Sequence, residues 1–175
     1  ATPLSQAVLD GAHADFAVVE VSSYQLETAA TFRPRSAAVL NITPDHLARH
    51  GTVEGYAAAK ARIFANQEAG DTAVINDDDP LVRAMAADVR ARILPFSAVR
   101  PLGNGMWFDG AAFRFCDAVV AEVGDLPLRG RHNIQNALAA LALASAVTED
   151  WVGLKTGMRA FQGVEHRIEF VAEIN

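Results

Sequence analysis

The chain has 175 residues, 51% of them apolar and 21% charged, so it can bury a core without disulfides or a structural metal. Its net charge of −6 argues against nucleic-acid binding as the main function. Cys116 is the single cysteine, which excludes an intrachain disulfide framework and is typical of a reducing compartment such as the cytoplasm. Every apolar run is shorter than a membrane span, so we expect no membrane partner.

Short apolar runs alternate with longer amphipathic stretches along the chain. The runs predict strands at 16–21, 37–42, 72–76, 92–96 and 168–174. The amphipathic stretches predict helices at 53–67, 80–89, 133–147 and 151–161. Helix caps are predicted at Thr43 and Asp79, which each precede a proline, and at Thr52. Glycine-rich turns at 103–105 and 109–110 flank three strand-like residues and predict a small antiparallel hairpin. We therefore expect an α/β fold with a mostly parallel sheet flanked by helices.

Glu20 is the first candidate functional residue, because it lies late in the otherwise apolar run 16–21. Ligands of open α/β sheets bind beyond the carboxyl ends of the strands, and a carboxylate there suits Mg²⁺. A strand-end glutamate paired with a nearby cation explains the residue equally well. The residues alone leave both interpretations open.

Lys60 is the most informative candidate, because helical spacing places it with Tyr56 and Phe64 on the apolar face of a predicted helix. Only two of the fifteen basic residues are lysines, and arginine cannot replace a lysine in amine chemistry. A neutral lysine amine can react with CO₂ to form a carbamate, which is an anionic oxygen ligand. The commoner alternative is a lysine whose stem packs while its amine reaches water.

Two further features have both a functional and a simpler interpretation. His46 follows the predicted strand 37–42, so it would emerge at the same sheet edge as Glu20; a helix-start histidine bonded to a carbonyl is the simpler explanation. Asn133 and Asn136 lie three residues apart at a helix start and share a face that suits a nucleobase edge. Helix capping by Asn133 beside a solvated Asn136 is the simpler explanation.

Two patterns carry no ligand prediction. The acidic run 77–79 precedes a proline, and turns and helix capping explain it more simply than a metal site does. The phosphate-binding motif G-x-x-x-x-G-K-[ST] does not occur in the sequence.

Five ordered segments of the chain resemble motifs of the Mur ligases. They are VEVSSYQLE at 19–27, LNITPDHLARH at 40–50, YAAAK at 56–60, GRHNIQNALAA at 130–140 and FQGVEHRIE at 161–169. Ala48 departs from the pattern, since the family usually has an aspartate there. The YQLE continuation and the pair His132-Asn133 resemble the members that add D-glutamate to UDP-N-acetylmuramoyl-L-alanine.

The resemblance implies an ADP-forming ligase of peptidoglycan precursor synthesis that joins these two substrates through an acyl phosphate. It implies ATP as co-substrate and two Mg²⁺ ions, with Glu20 on the ion bound to ATP. His46 and a carbamate on Lys60 would hold the second ion. Five further binding residues are implied: Ser22 and Gln25 near the muramoyl substrate, and Asn133, Asn136 and Arg167 at ATP.

The resemblance also implies that residues 1–175 are part of a central ATP-binding domain of the P-loop type. The P-loop with its strand, a UDP-binding N-terminal domain and a C-terminal domain would then lie outside the chain. We expect the chain alone to be catalytically incompetent and its parent protein to be a cytoplasmic monomer. Two alternatives are another ligase of the superfamily, such as a folylpolyglutamate synthase, and a non-catalytic nucleotide-binding module.

Overall fold

The computed structural model describes Gln6, Leu9, Gly11 and residues 14–163. Within that part of the chain, six strands form one sheet in sequence order: β1 (Ser36–Val39), β2 (Thr72–Asn76), β3 (Arg92–Ser97), β4 (Met106–Phe108), β5 (Ala112–Phe115) and β6 (Ala118–Glu122). The pairs from β1 to β4 are parallel, and β4, β5 and β6 pair antiparallel. The expected α/β fold with an antiparallel hairpin is therefore confirmed.

The helices with bounds inside residues 14–163 lie around this sheet. They are α1 (Ser23–Thr28), α2 (Leu47–His50), α3 (Val53–Ala61), α4 (Pro80–Met85), α5 (Arg131–Ser145) and α6 (Trp151–Ala160). Single 3₁₀ turns follow α3, α4 and β6, at Arg62–Phe64, Ala86–Asp88 and Val123–Asp125. Thr52 caps α3 and Asp79 caps α4 by accepting backbone N–H groups. None of the helices in the described ranges has both the length and the apolar character that a membrane crossing requires.

The core lies in two layers, one on each face of the sheet. All five residues of β2 are buried, as is typical of a central parallel strand covered on both faces. Val74 belongs to the layer that includes α5, while its neighbours Ala73 and Ile75 belong to the layer under α3 and α4. This alternation follows from the two-residue period of a strand and fixes which helices cover which face.

The predicted strand 16–21 is wrong, because these residues have no regular structure and the apolar side chains before Val21 are exposed, while Val21 is half-buried. Val18 is 100% exposed. β-forming side chains give a strand only where a ladder and a packing face exist. Among the described residues, β1 is an edge strand and pairs with β2 alone, so 16–21 forms no ladder with the sheet. The predicted strand 168–174 lies outside the described residues.

Candidate functional site

Four aromatic rings from the α1–α3 region form a closed set of contacts, which we call the aromatic box: Tyr24, His46, His50 and Tyr56. Around the box, the centroid distances are 5.2 Å for Tyr24–His46, 6.1 Å for His46–Tyr56, 5.3 Å for Tyr56–His50 and 5.8 Å for His50–Tyr24. The two pairs that include His46 are edge-to-face, a geometry that aromatic quadrupoles favour. The box therefore joins three short helices through their rings.

His46 enters the box from an unusual backbone conformation. It precedes α2 with φ of 51°, a left-handed conformation that is uncommon for residues other than glycine. Its N–H donates to the side chain of Asp45 at 2.7 Å, and its Nε2 lies 3.5 Å from the same carboxylate. The His46 side chain is 45% exposed, so its ring has one side on the box and the other toward solvent.

Lys60 approaches the box at Tyr56. Its Nζ lies 5.2 Å from the centroid of the Tyr56 ring, and the residue is half-buried. The structure thus brings Lys60 and His46 to the same tyrosine. The shared helix face predicted the Lys60–Tyr56 contact, whereas the sheet-edge argument placed His46 with Glu20 and not with Tyr56. An ammonium has no lone pair for a metal, so Lys60 could ligate a cation only in another form, such as a carbamate.

Glu20 stands apart from the box in the described residues. It is exposed in the irregular segment 16–21, and no ion pair to it occurs within 14–163, so the cationic partner of the simpler interpretation is not found there. The same part of the chain holds no group of three or more His, Cys, Asp or Glu side chains that could bind a metal. A carboxylate at Glu20 and a carbamate on Lys60 are the kind of oxygen donor that Mg²⁺ prefers, and the His46 ring would add a nitrogen donor. Within the described residues, Glu20 and His46 do not form one donor set.

Ser22 and Gln25 form the capping box at the start of α1. Ser22 Oγ accepts the Gln25 N–H at 3.3 Å, and Gln25 Oε1 accepts the Ser22 N–H at 2.9 Å. The Ser22 hydroxyl also donates to Gln25 Oε1 at 3.1 Å. Both residues are exposed. Their first role is therefore to start α1, at a surface that a ligand can still reach.

Asn133 and Asn136 line a cavity of about 620 Å³ between α5 and α6. Its other walls are mainly apolar and include Ala140, Leu154 and Phe161. Asn133 is buried and its amide donates to the Arg129 carbonyl at 2.8 Å, whereas Asn136 is exposed. The residue that caps α5 is Gly130, without a side-chain bond, so capping does not account for Asn133. Arg167 lies outside the described residues.

The acidic run 77–79 serves the fold, as the simpler interpretation predicted. Asp79 accepts the N–H groups of Leu81 and Val82 and also that of Ile42, at 2.8 Å. Asp78 accepts the Ser97 hydroxyl at 2.5 Å and the Ala98 N–H at 2.7 Å. These carboxylates tie the carboxyl ends of neighbouring strands to α4.

Sequence reasoning missed a polar network under the box. His50 Nδ1 lies 3.2 Å from Glu27, and His50 Nε2 lies 3.1 Å from Ser23 Oγ. Arg49 donates to Glu27 at 2.6 Å and lies 5.9 Å from the centroid of the Tyr24 ring. The bond from Arg49 is the main reason that the pKa of Glu27 lies below its ordinary value. The spacing of His46 and His50, four residues apart, was the available signal.

The chain is similar to known proteins over most of its length. Residues 1–144 match the family described as the Mur ligase middle domain. The chain is 52% identical, over 92% of its length, to a protein of Pelotomaculum thermopropionicum named UDP-N-acetylmuramoylalanine–D-glutamate ligase. It is 43% identical, over 98% of its length, to a protein of the same name from Caldanaerobacter subterraneus subsp. tengcongensis.

These relatives are much longer than the chain, which covers 36% and 38% of them. Its fold is similar to that of a solved structure of MurF from Acinetobacter baumannii, with a TM-score of 0.67 and 23% identity. That match covers 86% of this chain and 34% of the other. The chain thus spans little more than a third of the proteins that it matches.

Proposed function

The chain belongs to the Mur ligase middle-domain family, and we propose that the protein containing it is a UDP-N-acetylmuramoylalanine–D-glutamate ligase (MurD). The supporting observation is that His46 and Lys60 both meet Tyr56 in a chain 52% identical to a relative of that name. Residues 1–175 would form part of the central ATP-binding domain of a cytoplasmic monomer. The P-loop, the UDP-binding domain and the C-terminal domain would come from other parts of that protein.

The reaction that we propose has two displacement steps. The carboxylate of UDP-N-acetylmuramoyl-L-alanine attacks the γ-phosphorus of ATP, and the bond to ADP breaks to give an acyl phosphate. The amine of D-glutamate then attacks the acyl carbon, phosphate leaves with the bonding electrons, and the amine loses a proton. The protein contributes mainly by holding these groups in line.

Three residues of the chain would hold Mg²⁺: Glu20 at the ion on ATP, and His46 with carbamylated Lys60 at a second ion. When bound, these ions neutralise the charge that develops on the phosphate oxygens. The carbamate forms when the neutral Lys60 amine attacks CO₂ and releases a proton. That reaction replaces the cation over Tyr56 with an oxygen donor on the same tyrosine that the exposed His46 ring contacts.

The exposed start of α1 is our candidate contact for the muramoyl substrate. Ser22 and Gln25 already orient one another through three hydrogen bonds. Their side chains are therefore fixed before any substrate arrives, which lowers the entropic cost of binding. Only Val21 separates Ser22 from Glu20, so substrate and metal contacts would lie two residues apart in the chain.

The cavity between α5 and α6 is our candidate site for adenine. Its small apolar side chains suit a flat base, and Asn136 presents an exposed amide that can both donate and accept. Asn133 would contribute less directly, because its amide nitrogen already donates to Arg129. Arg167 would complete the ATP contacts.

The test is phosphate release by the full gene product that contains this chain, with Mg-ATP, bicarbonate, UDP-N-acetylmuramoyl-L-alanine and D-glutamate. We expect release that needs both organic substrates, and none with L-glutamate in place of D-glutamate. Release with a folate substrate and L-glutamate would instead support the folylpolyglutamate synthase alternative. Binding of ATP without turnover of either pair would support a non-catalytic module. The 175-residue chain alone should release no phosphate.

A further inference from the structure

Of the two histidines in the aromatic box, His50 has the more enclosed side chain. Its side chain is 3% exposed, against 45% for His46. Both of its ring nitrogens are engaged, Nδ1 by Glu27 and Nε2 by Ser23. Because a carboxylate can only accept, Nδ1 is the donor in the first contact. His50 therefore has no free nitrogen for a metal or a substrate in this arrangement.

The three residues have the order of a Ser-His-acid triad, but the site does not support nucleophilic catalysis. Ser23 is 3% exposed, so a substrate carbonyl cannot reach its hydroxyl. Glu27 is shared between His50 and Arg49, which holds the carboxylate in place. The network has the features of a structural anchor with charge-assisted hydrogen bonds.

This anchor lies directly behind the proposed ligands. His50 contacts both Tyr24 and Tyr56, and each of these tyrosines contacts His46. Tyr56 also contacts Lys60. His46 and Lys60 thus rest on rings that His50 supports from the buried side. A small rotation of His50 would be passed to both ligands through the tyrosines, since packed rings move together.

We propose that His50 is a positioning residue: bonded to Ser23 and Glu27, it holds the two tyrosines of the box, and through them His46 and Lys60, in the arrangement that the ligase reaction needs. The inference rests on the proposed function. It assigns to a buried imidazole the role of orienting the exposed ligands, as hydrogen-bonded neighbours do in metal sites generally.

The experiment uses the full gene product and the His50→Phe variant, which keeps a ring of similar shape and removes both hydrogen bonds. We expect kcat to fall between about tenfold and a hundredfold, the range that small misplacements of reacting groups produce. The Mg²⁺ concentration for half-maximal rate should rise severalfold, whereas KM for ATP should change little. His50→Asn, which can still donate toward Glu27, should recover part of the loss.

Two variants separate positioning from stability. Arg33→Met breaks a guanidinium–carboxylate link of the same kind as Arg49–Glu27, to Asp71 at 2.7 Å, at the amino end of β2. It should lower the melting temperature and leave kcat and the Mg²⁺ dependence unchanged. Ser23→Ala removes only one end of the His50 anchor and carries the test if His50→Phe does not fold. It should shift kcat and the Mg²⁺ dependence in the same direction.

The outcomes distinguish the two proposals. A wild-type protein with no D-glutamate-dependent release overturns the proposed function and this inference together. An active wild type with His50→Phe or Ser23→Ala within twofold of its kcat and Mg²⁺ dependence overturns the inference alone. An equal loss of kcat in Arg33→Met would also overturn it, because the effect would then follow stability.

Discussion

Replacing Lys60 by arginine separates carbamate chemistry from packing. The structure assigns Lys60 one described electrostatic contact, the ring of Tyr56 at 5.2 Å. A cation over an aromatic face contributes about 0.5–1 kcal/mol at such a partly exposed site, and arginine makes the same contact. We therefore expect the free energy of unfolding to change by less than about 1 kcal/mol. Arginine cannot form the carbamate, so kcat should fall by about a hundredfold or more, as on loss of a group that contacts reacting atoms.

The chain offers a matched control, because Lys155 is its only other lysine. Lys155→Arg should leave ligase activity unchanged. With ¹³C-bicarbonate, the full gene product should give a carbamate carbon resonance that survives in Lys155→Arg and is lost in Lys60→Arg. Full activity in Lys60→Arg, or a resonance that persists in it, would refute the carbamate proposal.

Substitutions at four further residues test the fold and the candidate nucleotide site. Asp79→Ala should lower the free energy of unfolding, measured by chemical denaturation, by about 3 kcal/mol, because it removes a helix cap and the acceptor of the buried Ile42 N–H. The control Asp79→Asn should retain much of the cap. The Arg114 side chain, with the Ala111 and Ala112 N–H groups, lowers the pKa of Asp109 from 3.8 to about 2. This depressed pKa stabilises the fold above pH 3.8, and the contribution is lost as the pH falls toward 2. The difference in melting temperature between wild type and Asp109→Asn should therefore shrink over that pH window. Asn136→Ala should raise KM for ATP about tenfold with unchanged melting temperature, whereas Asn133→Ala should also lower the melting temperature.

Much of the fold follows from local rules that act on short stretches of sequence. β2 was predicted with its final bounds, because a five-residue buried run between turn residues has few other solutions. The caps at Thr52 and Asp79 were also predicted, since a hydroxyl or carboxylate before a helical pattern satisfies its first N–H groups. The strand prediction at 16–21 is wrong because a strand also needs a neighbouring strand to pair with. The composition of a segment does not show whether such a neighbour is present.

The predicted cap at Thr43 is wrong for a related reason. The Thr-Pro pair suggested a helix start, but α2 begins at Leu47, after His46 in a left-handed conformation. Asp45 accepts the His46 N–H, and the rings of Tyr24 and Tyr56 flank the His46 ring. The contacts that accompany this conformation come from α1 and α3, so tertiary packing overrides the local signal.

The site depends on these distant contacts because its helices are too short to hold their own shape. α2 has four residues and α1 has six, and helices of that length are not stable alone in water. Their relative positions must therefore come from side-chain links between them, of which Ser23–His50–Glu27 is the most buried. The position of a candidate ligand such as His46 depends on that link, since its own ring is nearly half exposed and has few contacts of its own to hold it. Individual residue types indicate the candidate ligands, whereas their alignment is a property of the buried network, which no single motif contains.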